Sequence, residues 1–125
     1  MEGNMATVLV VDDENLVRRS MVRMLAASGY KVVDADNGQA ALQVLGAQQI
    51  DVVLMDVDMP GRSGLQTLQD IRGNPLLKHI PVILMSGRFD AGAMFKNMDP
   101  VPFLAKPFER EDAVVMLQSM LAPER

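Results

Sequence analysis

Three aspartates, a serine and a lysine carry most of the reactive chemistry in this 125-residue chain, and each follows a short apolar run. Asp12 and Asp13 follow Val8-Leu9-Val10-Val11, Asp56 follows Val52-Val53-Leu54-Met55, Ser86 follows Val82-Ile83-Leu84-Met85, and Lys106 follows Phe103-Leu104-Ala105. Carboxylates brought together repel one another, so at neutral pH they bind a cation or retain protons. Ligands that are all oxygen, without His or Cys, select a hard ion, and Mg²⁺ typically takes one or two carboxylates while keeping several waters. An ammonium and a hydroxyl beside that ion would serve an anion with several oxygens, such as a phosphoryl group. A carboxylate is itself a competent nucleophile that yields an acyl phosphate, and Asp56, the central one, is the candidate. Singly each signal is ordinary: Asp12-Asp13-Glu14 reads as an acidic helix start and Ser86-Gly87 as a turn. Their force lies in their joint placement at the ends of successive apolar runs.

Those runs must be positioned by what lies between them. Continuous apolar runs separated by helix-like stretches read as buried parallel strands. Leu16, Val17, Met21, Met24 and Leu25 mark a first helix, capped by Asn15 and closed by Gly29. Lys31 to Ala35 is a second strand, and Ala40, Ala41, Leu42, Val44 and Leu45 mark a second helix closed by Gly46. Ile50 to Met55 is the third strand; Met59-Pro60-Gly61 then forces a loop before a third helix through Leu65, Leu68 and Ile71, ending near Gly73-Asn74-Pro75. Ile80 to Met85 is the fourth strand, Asp90 to Met98 a short helix between Gly87 and Pro100, Pro102 to Ala105 the fifth strand, and Arg110 to Leu121 a final helix with Ala113, Val114, Leu117 and Leu121 inward. Right-handed crossovers wind this alternation into a parallel sheet covered on both faces. The expected fold is α/β and flavodoxin-like, a three-layer sandwich with strand order 2-1-3-4-5 and about five helices, the fourth short or irregular. Ligands bind such sheets outside the carboxyl ends of the strands, so the acids, Ser86 and Lys106 are expected at one edge.

The same residues carry a family resemblance. Val8 to Glu14, Asp56-Val57-Asp58-Met59-Pro60 with Gly64-Leu65, Ser86-Gly87, and Phe103 to Phe108 resemble the receiver domain of two-component response regulators, over essentially the whole chain. The resemblance implies that Asp56 accepts a phosphoryl group from a sensor histidine kinase or a histidine phosphotransfer protein. It implies that Mg²⁺, with Mn²⁺ as a substitute, is held by Asp13 and Asp56 directly, by Asp12 through water, and by the backbone carbonyl of Asp58. Ser86 and Lys106 would bond phosphoryl oxygens, Phe103 would swing inward as Ser86 moves, and the Lys106-Pro107 bond would be cis. The implied function is a two-state switch that catalyses only its own phosphorylation and dephosphorylation, not an enzyme in the ordinary sense. Its output is an unknown downstream protein, with room for a phosphorylation-dependent homodimer. The short, glycine-interrupted stretch from Gly87 to Pro102 departs from the family's well-formed fourth helix, and Phe103 lacks the hydroxyl of a Tyr. Asp58 and Arg88, each two residues past a site residue, are expected to modulate phosphoryl lifetime through a salt bridge across the mouth.

Composition bounds the remaining choices. Half-apolar and 125 residues long, the chain suits one core, so residues 1–125 are expected to be one receiver domain with residues 1–5 as an unstructured lead. Twelve Lys and Arg against sixteen Asp and Glu leave no basic surplus for direct nucleic-acid binding. The lack of Cys fits a reducing compartment, and the N-terminus fits neither a signal peptide nor a membrane span; a soluble cytoplasmic protein without membrane insertion is expected. His79, the one histidine, precedes the fourth strand, away from the acidic edge. The Asp56-Val57-Asp58 triplet also resembles the nucleophile motif of haloacid-dehalogenase-type phosphatases, but there the motif lies on the first strand and the acidic pair comes later, the reverse of the order here. A phosphorylation-independent pseudo-receiver is the other rival, opposed by the complete set of acids with Ser86 and Lys106. A stand-alone regulator and a receiver within a hybrid histidine kinase both remain open.

Overall fold

Among the described residues, two apolar runs are buried from end to end: every residue of Val52–Asp56 and of Val82–Ser86. A computed structural model describes residues 6–87 and 101–121. Its strands are β1 (Thr7–Val11), β2 (Lys31–Ala35), β3 (Val52–Asp56), β4 (Val82–Ser86) and β5 (Phe103–Ala105). They pair in parallel in the order β2-β1-β3-β4-β5, as expected. Central strands flanked on both sides have no polar face, which is why their sequences are continuous Val, Ile, Leu and Met rather than alternating.

Helices α1 (Asn15–Ala27), α2 (Gly38–Ala47), α3 (Gly64–Arg72) and α4 (Arg110–Leu121) cover the sheet. Ala41 and Leu45 of α2 with Leu68 and Ile71 of α3 pack on Leu9, Val53, Met55 and Leu84. On the other face Met21 and Leu25 of α1 with Ala113 and Leu117 of α4 pack on Val8, Val10, Leu54 and Ile83. Local chemistry starts and stops these helices. Asn37 accepts the Ala40 N–H at 2.7 Å to cap α2, and Ser63 and Gln66 form a reciprocal capping box on α3. Gly29, at φ 98°, closes α1 by donating to the Ala26 carbonyl at 3.1 Å.

The structure corrects several local expectations. Asn15 does not cap α1: it is the first helical residue, Glu14 holds the cap position, and the Asn15 side chain instead accepts from Arg18 Nη2 at 2.7 Å. Leu16 is 82% exposed, on the solvent side of α1 with Ser20 and Arg23, while Val17, Met21 and Leu25 form the inner stripe. Gly46 lies inside α2, and the helix ends at Gln48, which turns to extended backbone. Met116 and Met120, rather than Val114, complete the packed side of α4 with Leu121. Ile50 and Ile80 are buried but precede their strands, which run one residue further, to Asp56 and Ser86. The helix expected over Asp90 to Met98 lies outside the described residues, as does Arg88. Among the described residues no helix is long and apolar enough to cross a membrane.

Candidate functional site

Strand alternation decides which side chains share the carboxyl edge. Val8 and Val10 on β1, Val52 and Leu54 on β3, and Leu104 on β5 all belong to the apolar layer beneath α1 and α4. Counting on by twos reaches Asp12, Asp56 and Lys106, so one sheet face delivers all three charged side chains to the same edge. Ser86 has the opposite phase, that of Val82 and Leu84 in the layer beneath α2 and α3. Asp56 and Ser86 are ladder residues, paired with Met85 and Ala105 respectively. Asp12 also extends the ladder, its N–H donating to the Ala35 carbonyl at 3.2 Å.

The carboxylates converge. Asp12, Asp13 and Asp56 each present an oxygen within 4.8 Å of the others. Lys106 Nζ donates to Asp12 Oδ2 at 2.7 Å and lies 3.5 Å from Asp56 Oδ1. Asp12 Oδ1 accepts the Glu14 N–H at 3.0 Å, so both oxygens of this fully buried carboxylate are engaged. Ser86 Oγ donates to Asp58 Oδ2 at 2.9 Å. The Lys106-Pro107 peptide bond is cis, as the resemblance implies.

Burial drives the electrostatics. It pushes Asp56 up from 3.8 to about 6; the Asp12 charge adds to the rise, while Lys106 and a backbone bond from Asp58 oppose it. For Lys106 burial disfavours the ammonium, but the hydrogen bond to Asp12 and the charge of Asp56 outweigh it, so its pKa lies above the ordinary lysine value. The donor set fits a hard divalent ion: three oxygens from three carboxylates, no nitrogen or sulfur, with Asp13 partly open to solvent.

Most of the expected residues meet here. Asp12, Asp13, Asp56 and Lys106 form one cluster, with the Ser86–Asp58 pair at the same edge. Phe103 is half-buried on β5 beside Leu84, opposite in phase to Leu104. The Asp58–Arg88 bridge falls outside the described residues on its Arg88 side. Two residues that the spacing of acids does not reveal also shape the edge. Arg18 joins Asp34 Oδ2 at 2.8 Å, the Asp12 carbonyl at 2.9 Å and Asn15 Oδ1 at 2.7 Å. Gly64 lies against the backbone of Asp56 so closely that a Cβ there would sit 2.3 Å from the Asp56 carbonyl oxygen. The Asn15-x-x-Arg18 spacing on one helix face was the only sequence signal for the first.

Residues 8–118 match the response regulator receiver domain. The chain is 33% identical over 118 residues to the DNA-binding transcriptional regulator NtrC of Escherichia coli K12, covering 92% of this chain and 24% of NtrC. Among solved structures it superposes with TM-score 0.85 on chemotaxis protein CheY4 of Vibrio cholerae (29% identity, 94% of this chain and all of that one). It does so equally, at 0.85, on TrrA of Thermotoga maritima in complex with Mg²⁺ and beryllofluoride (28% identity, 94% and 100% covered). The chain spans from 15% to 51% of the length of the curated relatives it matches. The matched residues 8–118 take in strands from all five positions of the sheet, and the chain belongs to the receiver domains of two-component response regulators.

Proposed function

We propose that this receiver accepts a phosphoryl group on Asp56 from the phosphohistidine of a sensor histidine kinase or histidine phosphotransfer protein. The observation that carries the reading is the convergence of Asp12, Asp13 and Asp56 with Lys106 bonded between two of them. An Asp56 oxygen forms the new O–P bond while the donor's N–P bond breaks and the bonding pair returns to the imidazole nitrogen. With a pKa near 6 the carboxylate is largely ionised at neutral pH, as a nucleophile must be. Hydrolysis reverses the charge change: water attacks phosphorus, the Asp56–phosphoryl bond breaks, and phosphate leaves. The domain thus catalyses only its own phosphorylation and dephosphorylation and is not an enzyme in the ordinary sense.

Mg²⁺, with Mn²⁺ as substitute, would be held by Asp13, Asp56 and the Asp58 carbonyl, with Asp12 acting through water, and supplies charge neutralisation for the transferring group. That TrrA, 28% identical, was solved in complex with Mg²⁺ and beryllofluoride supports a Mg²⁺ ion here. Lys106 is already aimed at Asp56 and serves as the counter-charge to a phosphoryl oxygen. Ser86 bonds another oxygen, and Phe103, facing Leu84 across β4 and β5, follows its movement. The output is a changed protein-binding surface, which includes a phosphorylation-dependent homodimer among its forms. The match over residues 8–118 supports reading residues 1–125 as one receiver domain, and the family's role beside histidine kinases supports a cytoplasmic setting.

Intact mass after incubation with Mg²⁺ and acetyl phosphate tests the reading. One added phosphoryl group on the wild type and none on Asp56→Asn is the expected result. An adduct that persists in Asp56→Asn, or no adduct together with no beryllofluoride complex, overturns it.

A further inference from the structure

The Ser86 hydroxyl is not idle while it waits for a phosphoryl group. Ser86 is 1% exposed, and its Oγ donates to Asp58 Oδ2 at 2.9 Å. Its strand phase is that of Val82 and Leu84, on the face of the sheet opposite to the one that delivers Asp12, Asp56 and Lys106. Asp58 itself is exposed and lies two residues beyond Asp56, past the end of β3. A hydroxyl has one proton to donate, so Ser86 cannot donate fully to Asp58 and to a phosphoryl oxygen at once. The acceptor that holds it is charged, and such bonds are among the stronger ones available to a hydroxyl.

We propose that Asp58 is a positioning residue that latches the switch hydroxyl: its carboxylate holds Ser86 in the resting arrangement and competes with the phosphoryl group for the one Ser86 proton. This rests on the reading of Asp56 as phosphoacceptor. It gives Asp58 two separable parts, a backbone carbonyl on the metal side and a side chain that sets how readily the domain switches. Phosphorylation succeeds in switching only by drawing the Ser86 proton from one anion to another. The latch therefore lowers the fraction of switched molecules without touching the nucleophile.

A double-mutant cycle tests the latch, with beryllofluoride at saturating Mg²⁺ as the phosphoryl mimic and ¹⁹F NMR of the bound species as readout. The four proteins are wild type, Asp58→Ala, Ser86→Ala and the double variant. Asp58→Ala is expected to tighten beryllofluoride binding about fivefold where Ser86 is present, the size of one hydrogen bond of ordinary strength. In the Ser86→Ala background the same substitution is expected to change nothing, because no hydroxyl remains to be released. An equal change in both backgrounds would mean that Asp58 acts by charge on the phosphoryl group and overturns the latch, as does no change in either. Asp58→Asn, which keeps the acceptor and removes the charge, is expected to fall between wild type and Asp58→Ala. Wild type that binds Mg²⁺ but no beryllofluoride would instead overturn the phosphoacceptor reading, and the latch with it.

Discussion

Lys106 and Asp12 form a 2.7 Å ion pair in which the carboxylate side chain is fully buried and the ammonium side chain is 18% exposed. The pair ties the end of β5 to the end of β1 across the two strands between them, β3 and β4. It also gives the three clustered acids a resident cation in the absence of metal.

Removing that cation exposes the repulsion it masks. Lys106→Gln is expected to lower the stability of the metal-free protein by about 2 kcal/mol, since breaking a buried pair leaves an uncompensated charge. The same substitution is expected to tighten Mg²⁺ binding severalfold, because the ion no longer competes with an ammonium for the carboxylates. Urea midpoints with and without Mg²⁺ check both; a metal-free stability equal to wild type would show that the ion pair contributes nothing net.

Asp56 gives the resting fold a pH dependence of definite sign. Its pKa is about 6 in the folded protein against 3.8 for the ordinary carboxyl, so between those values the folded state holds a proton that the unfolded chain has released. Stability from this group is present below about pH 4 and is lost as pH rises towards 6. Asp56→Asn, which cannot ionise, is therefore expected to be more stable than wild type in Mg²⁺-free buffer at pH 7.5, by ~1–3 kcal/mol. The difference should vanish near pH 4. Thermal melts at the two pH values provide the measurement, and a variant less stable than wild type at pH 7.5 would contradict the burial account.

How much of this was legible beforehand follows from which physical signals a sequence carries. β3 and β4 announced themselves because central strands are apolar on both faces, and a polar residue, Asp56 or Ser86, closes each run. The strand order and the meeting of Asp12, Asp13, Asp56 and Lys106 followed from the crossover rules. The Ser86–Asp58 bond was not legible: strand phase sends Ser86 to the other face, and pairing there depends on the path of a loop. Arg18 was hidden for a similar reason, since its partners Asp12 and Asp34 come from different strands. Leu16 misled because an apolar residue at the first turn fits a helical pattern whichever way it faces.

Gly64 is fixed by contact rather than by backbone freedom. A Cβ there would meet the Asp56 carbonyl oxygen at 2.3 Å and the Val57 Cα at 2.8 Å, both backbone atoms that cannot move aside alone. The Gly64 N–H also donates to the Val57 carbonyl at 2.9 Å, holding α3 against the end of β3. Gly64→Ala is expected to cost about 2–3 kcal/mol by overpacking and to weaken Mg²⁺ binding, because the strain falls on the Asp56 backbone. A melting temperature and Mg²⁺ affinity equal to wild type would show that the loop relaxes freely.

Arg18 supports the acidic edge from behind. Its guanidinium bonds the Asp12 carbonyl, the Asp34 carboxylate and the Asn15 amide oxygen at once, and its side chain is only 13% exposed. The planar fork of five donors suits three divergent acceptors, whereas an ammonium is a point charge on a flexible stem. Arg18→Ala is expected to cost about 1 kcal/mol in stability, yet to weaken Mg²⁺ binding three- to tenfold by freeing the Asp12 backbone. Arg18→Lys should recover the stability better than the metal affinity, because it restores charge opposite Asp34 without restoring the hold on Asp12. Calorimetric titration with Mg²⁺ beside urea unfolding separates the two effects. Parallel losses in both measurements across Ala and Lys would reduce Arg18 to an ordinary structural residue.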